Sequence, residues 1–179
     1  MVVSSKHMML ASPVFKAMLN GNFKEGRALQ TDGNVKVELP DDDPAAFRII
    51  LNILHGRNRS VPRVINLKAL TRIAILADKY RMVEAIESYS YNWIASLTLR
   101  SSVPKSFVPD LGRWICIFWV FESTNDFTSL TKIVIQECEG NVPSGFMDFV
   151  PLPQAVYGEP SIKRFSRACS ICTFNPLIS

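Results

Sequence analysis

Residues 39–56, LPDDDPAAFRIILNILHG, constrain the fold of this chain more than any other segment. Three aspartates at positions 41–43 stand where the positive end of a helix dipole would lie, and Pro44 suits the first helical turn. Gly56 can end the helix. Apolar residues at intervals of three and four share one face, namely Phe47, Ile50, Leu51 and Leu54. The segment therefore predicts an amphipathic helix that must bury one face against other parts of the chain.

The residues before this helix predict one short helix and two short strands. Residues 12–19, SPVFKAML, begin with a serine that can accept an orphan backbone N–H and a proline whose fixed φ suits the first helical position. Residues 35–39, VKVEL, alternate apolar and polar side chains, which predicts a half-buried strand. Val2 and Val3 have the character of the end of another strand. The polar residues 23–33 predict a short helical turn and a loop.

Two longer helices follow. Asn66 can cap a helix whose apolar side chains recur with helical spacing as far as Ala77, and a further apolar stripe extends from Val83 to Leu97. Only residues 79–82, KYRM, separate the two stripes, and connections of this length typically join neighbouring helices. We expect the two helices to pack together as a hairpin.

The last third of the chain predicts a linker, another helical hairpin and a tail. Residues 99–109 contain two prolines and form the linker. Residues 110–140 predict the hairpin, whose first half, DLGRWICIFWVF, is apolar on nearly every face and should therefore be buried or pressed into a groove. Helical periodicity fails over residues 141–179, where prolines recur, so a loop-like or disordered tail is expected.

Composition excludes several classes of protein. The 179 residues, 47% hydrophobic and 20% charged, are enough for one compact domain, or for a domain of roughly 100 residues with an appendage. No apolar run approaches the ~20 residues needed to cross a bilayer, and no secretory leader begins the chain. We therefore expect an intracellular protein of the nucleus or cytoplasm, with no membrane partner and with four reduced cysteines.

Three segments, SPVFKAML, VELPDDDPAAFRIILNILHG and LTRIAILADKY, occur in the order and spacing of one family. On these segments, residues 1–98 resemble a BTB/POZ domain, and they are most similar to fungal sequences in which SKHMMLASPVF marks the first conserved helix. The resemblance implies an α+β fold that is predominantly α-helical, with stacked helical hairpins beside a small residual sheet. Residues 110–140 also resemble the helical extension that follows the domain in such fungal proteins.

The chain departs from the family pattern at its N-terminus. The family's first strand, of the type Asp-Val-x-Leu-x-Val, normally forms a hairpin with the strand whose end corresponds to residues 1–4, and we expect this first strand to be missing. Ser4 and Ser5 align with a His-Lys pair of many animal members, whereas Lys6 and His7 are offset from it. The charged pocket that this pair builds in other members is therefore not expected.

A candidate interaction surface is predicted around the first conserved helix. Removing a strand would expose apolar side chains and leave strand N–H and C=O groups unpaired, and both effects favour association. Because each large apolar side chain contributes ~1.5–3 kcal/mol when fully buried, we expect the chain to self-associate or to be marginally stable alone. The candidate residues are Val2, Val3, Met8, Met9, Val14, Phe15 and Met18.

The resemblance implies a protein-protein interaction module that forms homo-oligomers and recruits protein partners. Family members act as adaptors of cullin-based ubiquitin ligases or as subunits of transcriptional regulators, so a cullin is among the expected partners. A nucleic-acid-associated regulator using the net charge of +4, and a truncated product without function, stay open as alternatives. Arg57, Arg59 and Arg63 favour a solvated loop over a nucleic-acid contact, since phosphate binding usually needs a contiguous basic face.

No residue pattern predicts catalysis, a cofactor or a metal site. The sequence contains no Gly-rich phosphate loop, nucleophile elbow or paired catalytic carboxylates, so we predict no enzyme activity. Cys169 and Cys172 form a CxxC, but a structural zinc site needs four ligands and the remaining candidates are distant. His7 and His55 have no triad spacing, and we expect structural roles for both, with His55 placed where a cation would complement a helix dipole.

Overall fold

A computed structural model describes residues 1–137. These residues form eight α-helices and one 3-10 helix, Asn58–Ser60, and no strand lies among them. The tail expected over residues 141–179 lies outside this range. The α-helices are α1 (Ser5–Ala11), α2 (Pro13–Leu19), α3 (Lys24–Asp32), α4 (Pro44–Leu54), α5 (Leu67–Lys79), α6 (Val83–Arg100), α7 (Leu111–Val120) and α8 (Thr124–Glu137). The predicted predominance of helix is confirmed.

Local capping sets the starts of three predicted helices. Ser12, Asp43 and Asn66 each accept a hydrogen bond from the backbone N–H three residues later, at 3.1, 2.8 and 2.8 Å respectively. These side chains satisfy N–H groups that have no partner inside the first helical turn. Gly56 adopts a positive φ of 66° just after α4, as its place at the end of that helix predicted.

The predicted residual sheet is not seen in the described residues. Val2 and Val3 precede α1 without forming a strand, and residues 35–39 have no strand beside them within residues 1–137. Residues 35–39 nevertheless keep a period of two in their burial, since the apolar positions are half-buried and the charged ones exposed. Alternation of apolar and polar residues identifies the side of a segment that faces the core. A β-ladder also requires a partner strand, which the alternation does not specify.

Two helices differ from the sequence expectations. Residues 5–11 form α1, a separate helix with Ser4 at its N-cap. The resemblance placed one helix over SKHMMLASPVF, whereas the capping signal predicted a helix only from Ser12 onward. Residues 24–32 form the nine-residue helix α3, whereas only a short turn and a loop were expected there. Both helices pack against α2, so tertiary contacts support helices that local propensity alone leaves marginal.

Helix α5 lies at the centre of the fold. It packs against α4, α6 and α7, and α8 in turn packs against α7. The apolar sequence of α7 is buried on nearly every face, as its composition predicted. Because α7 shares one hydrophobic core with α4, α5 and α6, the hairpin of α7 and α8 adds to that core. No helix in this part of the chain is long and apolar enough to span a membrane.

Candidate interaction surface

The seven residues of the predicted interaction surface occupy three environments. Met8 and Phe15 are buried at 3% exposure, so they hold α1 and α2 to the core. Val2 is exposed. The half-buried members, which pack against the core, are Val3, Met9, Val14 and Met18. The surface that a partner could reach is therefore formed by the exposed and half-buried members, and its use in binding stays a prediction.

A groove with a volume of about 620 Å³ lies beside α2 and contains two of the predicted residues, Val14 and Met18. The start of α3 contributes Phe23, whose surface is 56% exposed. The apolar lining is bordered by side chains of both charges. The lining residues are Pro13, Val14, Ala17, Met18, Phe23, Glu25, Lys79 and Arg81.

A close approach of two glycines positions the α3 side of the groove. Gly21 has a positive φ of 88°, and Gly26 is buried against it. A Cβ at position 26 would lie 2.3 Å from the backbone nitrogen of Gly21 and 2.8 Å from its Cα, so only glycine permits this contact. Phe23 and Glu25 lie between the two glycines, and the contact therefore fixes where these two groove residues stand.

An ionic cluster fixes the α5 side of the groove. Lys79 Nζ lies 2.6 Å from Asp42 Oδ1, and the Tyr80 hydroxyl donates to Oδ2 of the same carboxylate, which is 5% exposed. The hydrogen bond with Asp42 raises the pKa of Lys79. Burial, followed by the hydrogen bond with Asp42, raises the pKa of Tyr80 to about 12. At neutral pH the Lys79 ammonium is therefore charged and is paired with the Asp42 carboxylate, so the cluster carries no net charge.

A buried hydroxyl and an aromatic cluster join α2 to the end of α5. The fully buried Ser12 donates through Oγ to the carbonyl of Tyr80 at 2.6 Å while it accepts from the Phe15 N–H. The ring of Phe15 stacks on that of Tyr80 with centroids 4.7 Å apart, and the Phe47 ring lies 5.7 Å from Tyr80. Contacts within the core therefore fix α2 and the end of α5, which both line the groove, relative to each other.

His55 joins the end of α4 to the start of α1. The backbone N–H of Ser4 donates to His55 Nε2 at 2.9 Å, and His55 Nδ1 lies 2.8 Å from the Leu51 carbonyl oxygen. Nε2 accepts and Nδ1 must donate, so this geometry requires a neutral imidazole with its proton on Nδ1. We expected a cation at His55 that complements the helix dipole, and these two hydrogen bonds correct that expectation. The His7 ring lies 5.0 Å away.

The other candidates for chemistry have structural environments or lie outside the described range. Within residues 1–137, no three His, Cys, Asp or Glu side chains stand close enough together to hold a metal ion. Cys116 is buried, and burial raises the pKa of its thiol to about 12, which disfavours the reactive thiolate. Cys169 and Cys172 lie outside the described residues.

The arginines considered for nucleic-acid binding surround the 3-10 helix. Arg57, Arg59 and Arg63 are all exposed, as a solvated loop predicts. Tyr89 fixes the same turn by donating a hydrogen bond through its hydroxyl to Asn58 Oδ1 at 2.8 Å. No contact of these arginines favours a nucleic-acid role over a solvated loop.

Sequence reasoning identified two of the eight residues that line the groove, Val14 and Met18. Phe23 carried a usable signal, because it is the one aromatic residue in the otherwise polar stretch NGNFKEGR. Lys79 and Arg81 carried no such signal, since they lie at the end of α5 and just after it, more than 50 positions away from Phe23. Arg81 also has a positive φ of 51°, which turns the chain sharply between α5 and α6.

Stacked helices that present an exposed apolar groove beside charged side chains are typical of a domain that binds other proteins. The family model of the BTB/POZ domain matches residues 3–97. The chain therefore belongs to the BTB/POZ family, whose domain is a protein-protein interaction module. The match covers α1 to α5 and most of α6, and α7 and α8 follow it. No curated protein and no solved structure matches the chain.

Proposed function

We propose that the chain recruits a partner protein through the groove between α2, α3 and the end of α5, and that it self-associates. The observation that carries this proposal is the exposed Phe23 ring beside the half-buried side chains of Val14 and Met18. Aromatic side chains at the centre of an interface supply much of the binding energy, because they bury a large area at a small cost in conformational entropy. A partner would cover this apolar surface.

The charges at the rim favour a partner with acidic side chains. Lys79 and Arg81 lie on the α5 side of the groove, and Glu25 lies on the α3 side. An apolar side chain of the partner would enter between the two walls, and a neighbouring carboxylate would face Arg81, because Asp42 already balances the charge of Lys79. Val2, Val3 and Met9 would extend the contact onto the start of the chain and α1.

The family resemblance supports two classes of partner. One is the cullin scaffold of a ubiquitin ligase, for which the chain would act as an adaptor, and the other is a transcriptional regulator. Either partner would be met in the nucleus or cytoplasm, where we propose that the chain acts. The cullin hypothesis is the easier of the two to test, because one purified cullin domain is enough for a binding measurement.

The test measures binding of a recombinant cullin N-terminal domain to the full chain by calorimetry. Phe23→Ala should weaken binding by about tenfold or more, since truncation of a central interface aromatic typically costs at least 2 kcal/mol. Tyr91→Ala is the matched control, because Tyr91 is a 74% exposed aromatic residue on α6, outside the groove. It should leave the affinity unchanged.

Two results would contradict this proposal. Absence of binding by the unaltered chain would refute the role as a cullin adaptor. Equal binding by the Phe23→Ala variant and the unaltered chain would refute the groove as the docking site.

A further inference from the structure

A serine on the 3-10 helix between α4 and α5 lies among three arginines in the segment RNRSVPR. Arg57 comes three positions before Ser60, and Arg59 directly before it. Arg63 comes three positions after it, and all four residues are exposed. Within the described part of the chain, these arginines form no ion pair and the Ser60 hydroxyl makes no hydrogen bond. The hydroxyl and the guanidinium groups are therefore open to a second molecule.

Two backbone hydrogen bonds close the turn that carries Ser60. The Ser60 N–H donates to the Arg57 carbonyl at 2.8 Å. The next N–H, that of Val61, donates to the Asn58 carbonyl at 3.2 Å. Side chains three positions apart on a 3-10 turn eclipse each other, so Arg57 and Ser60 lie on one side of it. A protein that contacts the serine therefore meets this arginine on the same face.

The residues after Ser60 are held more firmly than those before it. Trp93 donates through Nε1 to the Pro62 carbonyl at 2.8 Å, and Val61 is buried in the core. On the other side of the serine, the Tyr89 hydroxyl makes an exposed contact with Asn58 Oδ1 at 2.8 Å. Hydrogen bonds of 3-10 geometry are poorer than those of an α-helix. The residues before the serine can therefore open locally into the cleft of an enzyme, without disturbing α4 or α5.

We propose that Ser60 is a phosphorylation site for a protein kinase that recognises an arginine three residues before its acceptor serine. Carboxylates of the kinase would pair with the Arg57 guanidinium through charge-assisted hydrogen bonds. Ser60 is the one serine or threonine among residues 1–137 that has arginine at this spacing. The site precedes α5, whereas the recruiting groove lies at the other end of that helix, so this proposal goes beyond the recruitment of a partner.

The reaction transfers one phosphoryl group from ATP, which the kinase binds with Mg²⁺. Ser60 Oγ forms a bond to the γ-phosphorus, the bond from that phosphorus to the bridging oxygen of ADP breaks, and ADP leaves. The hydroxyl proton passes to the catalytic aspartate of the kinase. The product carries an added charge of about −1.5 to −2 at pH 7, beside the exposed guanidinium groups. Phosphorylation would therefore offset most of the positive charge of this loop.

The test incubates the full chain with MgATP and the catalytic subunit of cyclic-AMP-dependent protein kinase, which selects serines with an arginine three positions before them. Tandem mass spectrometry then maps the phosphate, which should be on Ser60. Ser166 and Ser170 also follow a basic residue by three positions, so mapping is needed to tell the three serines apart. In the Ser60→Ala variant, the phosphate on the RNRSVPR segment should be lost.

Two arginine variants test how the site is recognised. Arg57→Ala should lower kcat/KM for phosphorylation of Ser60 by about tenfold or more, because it removes the charge that the kinase pairs with. Arg63→Ala is the matched control, since it removes the same charge from the same exposed loop on the other side of the serine. It should change kcat/KM by less than about twofold. Both variants should keep the melting temperature of the unaltered chain, as expected for exposed side chains.

Three results would overturn the proposal. One is a lack of phosphate on Ser60 under conditions in which the kinase phosphorylates a standard peptide. Another is phosphate confined to Ser166 or Ser170. Equal losses of kcat/KM in Arg57→Ala and Arg63→Ala would refute recognition of the arginine three residues before the serine. None of these results bears on the groove, because no groove residue is changed.

Discussion

Replacing Ser12 with alanine should destabilise the protein by about 2–4 kcal/mol. The Ser12 hydroxyl is fully buried and makes two hydrogen bonds, one from the Phe15 N–H at the start of α2 and one to the carbonyl of Tyr80 at 2.6 Å. The second bond joins residues 68 positions apart in the chain. Alanine therefore removes both a helix cap and a tertiary contact.

The magnitude follows from these two bonds. Loss of a serine N-cap typically costs about 1 kcal/mol. The hydroxyl of Ser12 is the one group among the described residues that donates to the Tyr80 carbonyl, so that buried acceptor would be orphaned at a further cost of about 1–3 kcal/mol. Ser4 provides the matched control, because it caps the equally short α1 through an exposed contact of 3.5 Å.

Urea unfolding of the full chain measures the difference. With an m value of about 2 kcal/mol/M, Ser12→Ala should lower the urea midpoint by about 1–2 M. Ser4→Ala should lower it by only a few tenths of the shift expected for Ser12→Ala. Similar losses for the two variants would refute the reasoning, because they would show that the buried bond to the Tyr80 carbonyl contributes nothing beyond an ordinary cap.

Three further predictions concern the groove, the ionic cluster and the buried thiol. Gly26→Ala should lower the urea midpoint of unfolding and weaken binding at the groove. A Cβ would lie 2.3 Å from the Gly21 nitrogen and force a backbone shift, whose cost outweighs the ~1 kcal/mol gained in helix propensity. A variant more stable than the unaltered chain would contradict the close contact. The pKa of Tyr80 is raised to about 12 in the folded state and is near 10 when unfolded, so its stabilising contribution is complete below pH 10 and is lost as pH rises toward 12. In urea titrations between pH 9 and 12, the free energy of unfolding should fall less steeply for Tyr80→Phe than for the unaltered chain. An equally steep fall in both proteins would contradict the contribution assigned to Tyr80. The third test uses a variant whose other cysteines are replaced by serine. Cys116 should react with a thiol reagent only after unfolding, since the thiol is buried and its pKa is raised to about 12. Rapid labelling of the folded protein would contradict this prediction.

Local sequence signals identified the features that depend on a few neighbouring residues. Ser12 and Asn66 cap their helices as predicted, because a cap needs only a side-chain oxygen and the N–H groups of the next turn. The apolar sequence of α7 predicted burial on nearly every face, and α7 lies in the core. Residues 35–39 show the limit of such signals, since their alternation predicted the half-buried face correctly and the ladder wrongly.

The sequence by itself determined the helical character of the chain, the positions of its caps and its membership of the BTB/POZ family. Only the tertiary structure decided that Met8 and Phe15 are core residues and that Phe23 and Arg81 line one groove. It also decided that His55 is a neutral acceptor for the start of α1. Capping and periodicity act over a few residues, whereas burial, grooves and hydrogen bonds between distant residues depend on the path of the whole chain.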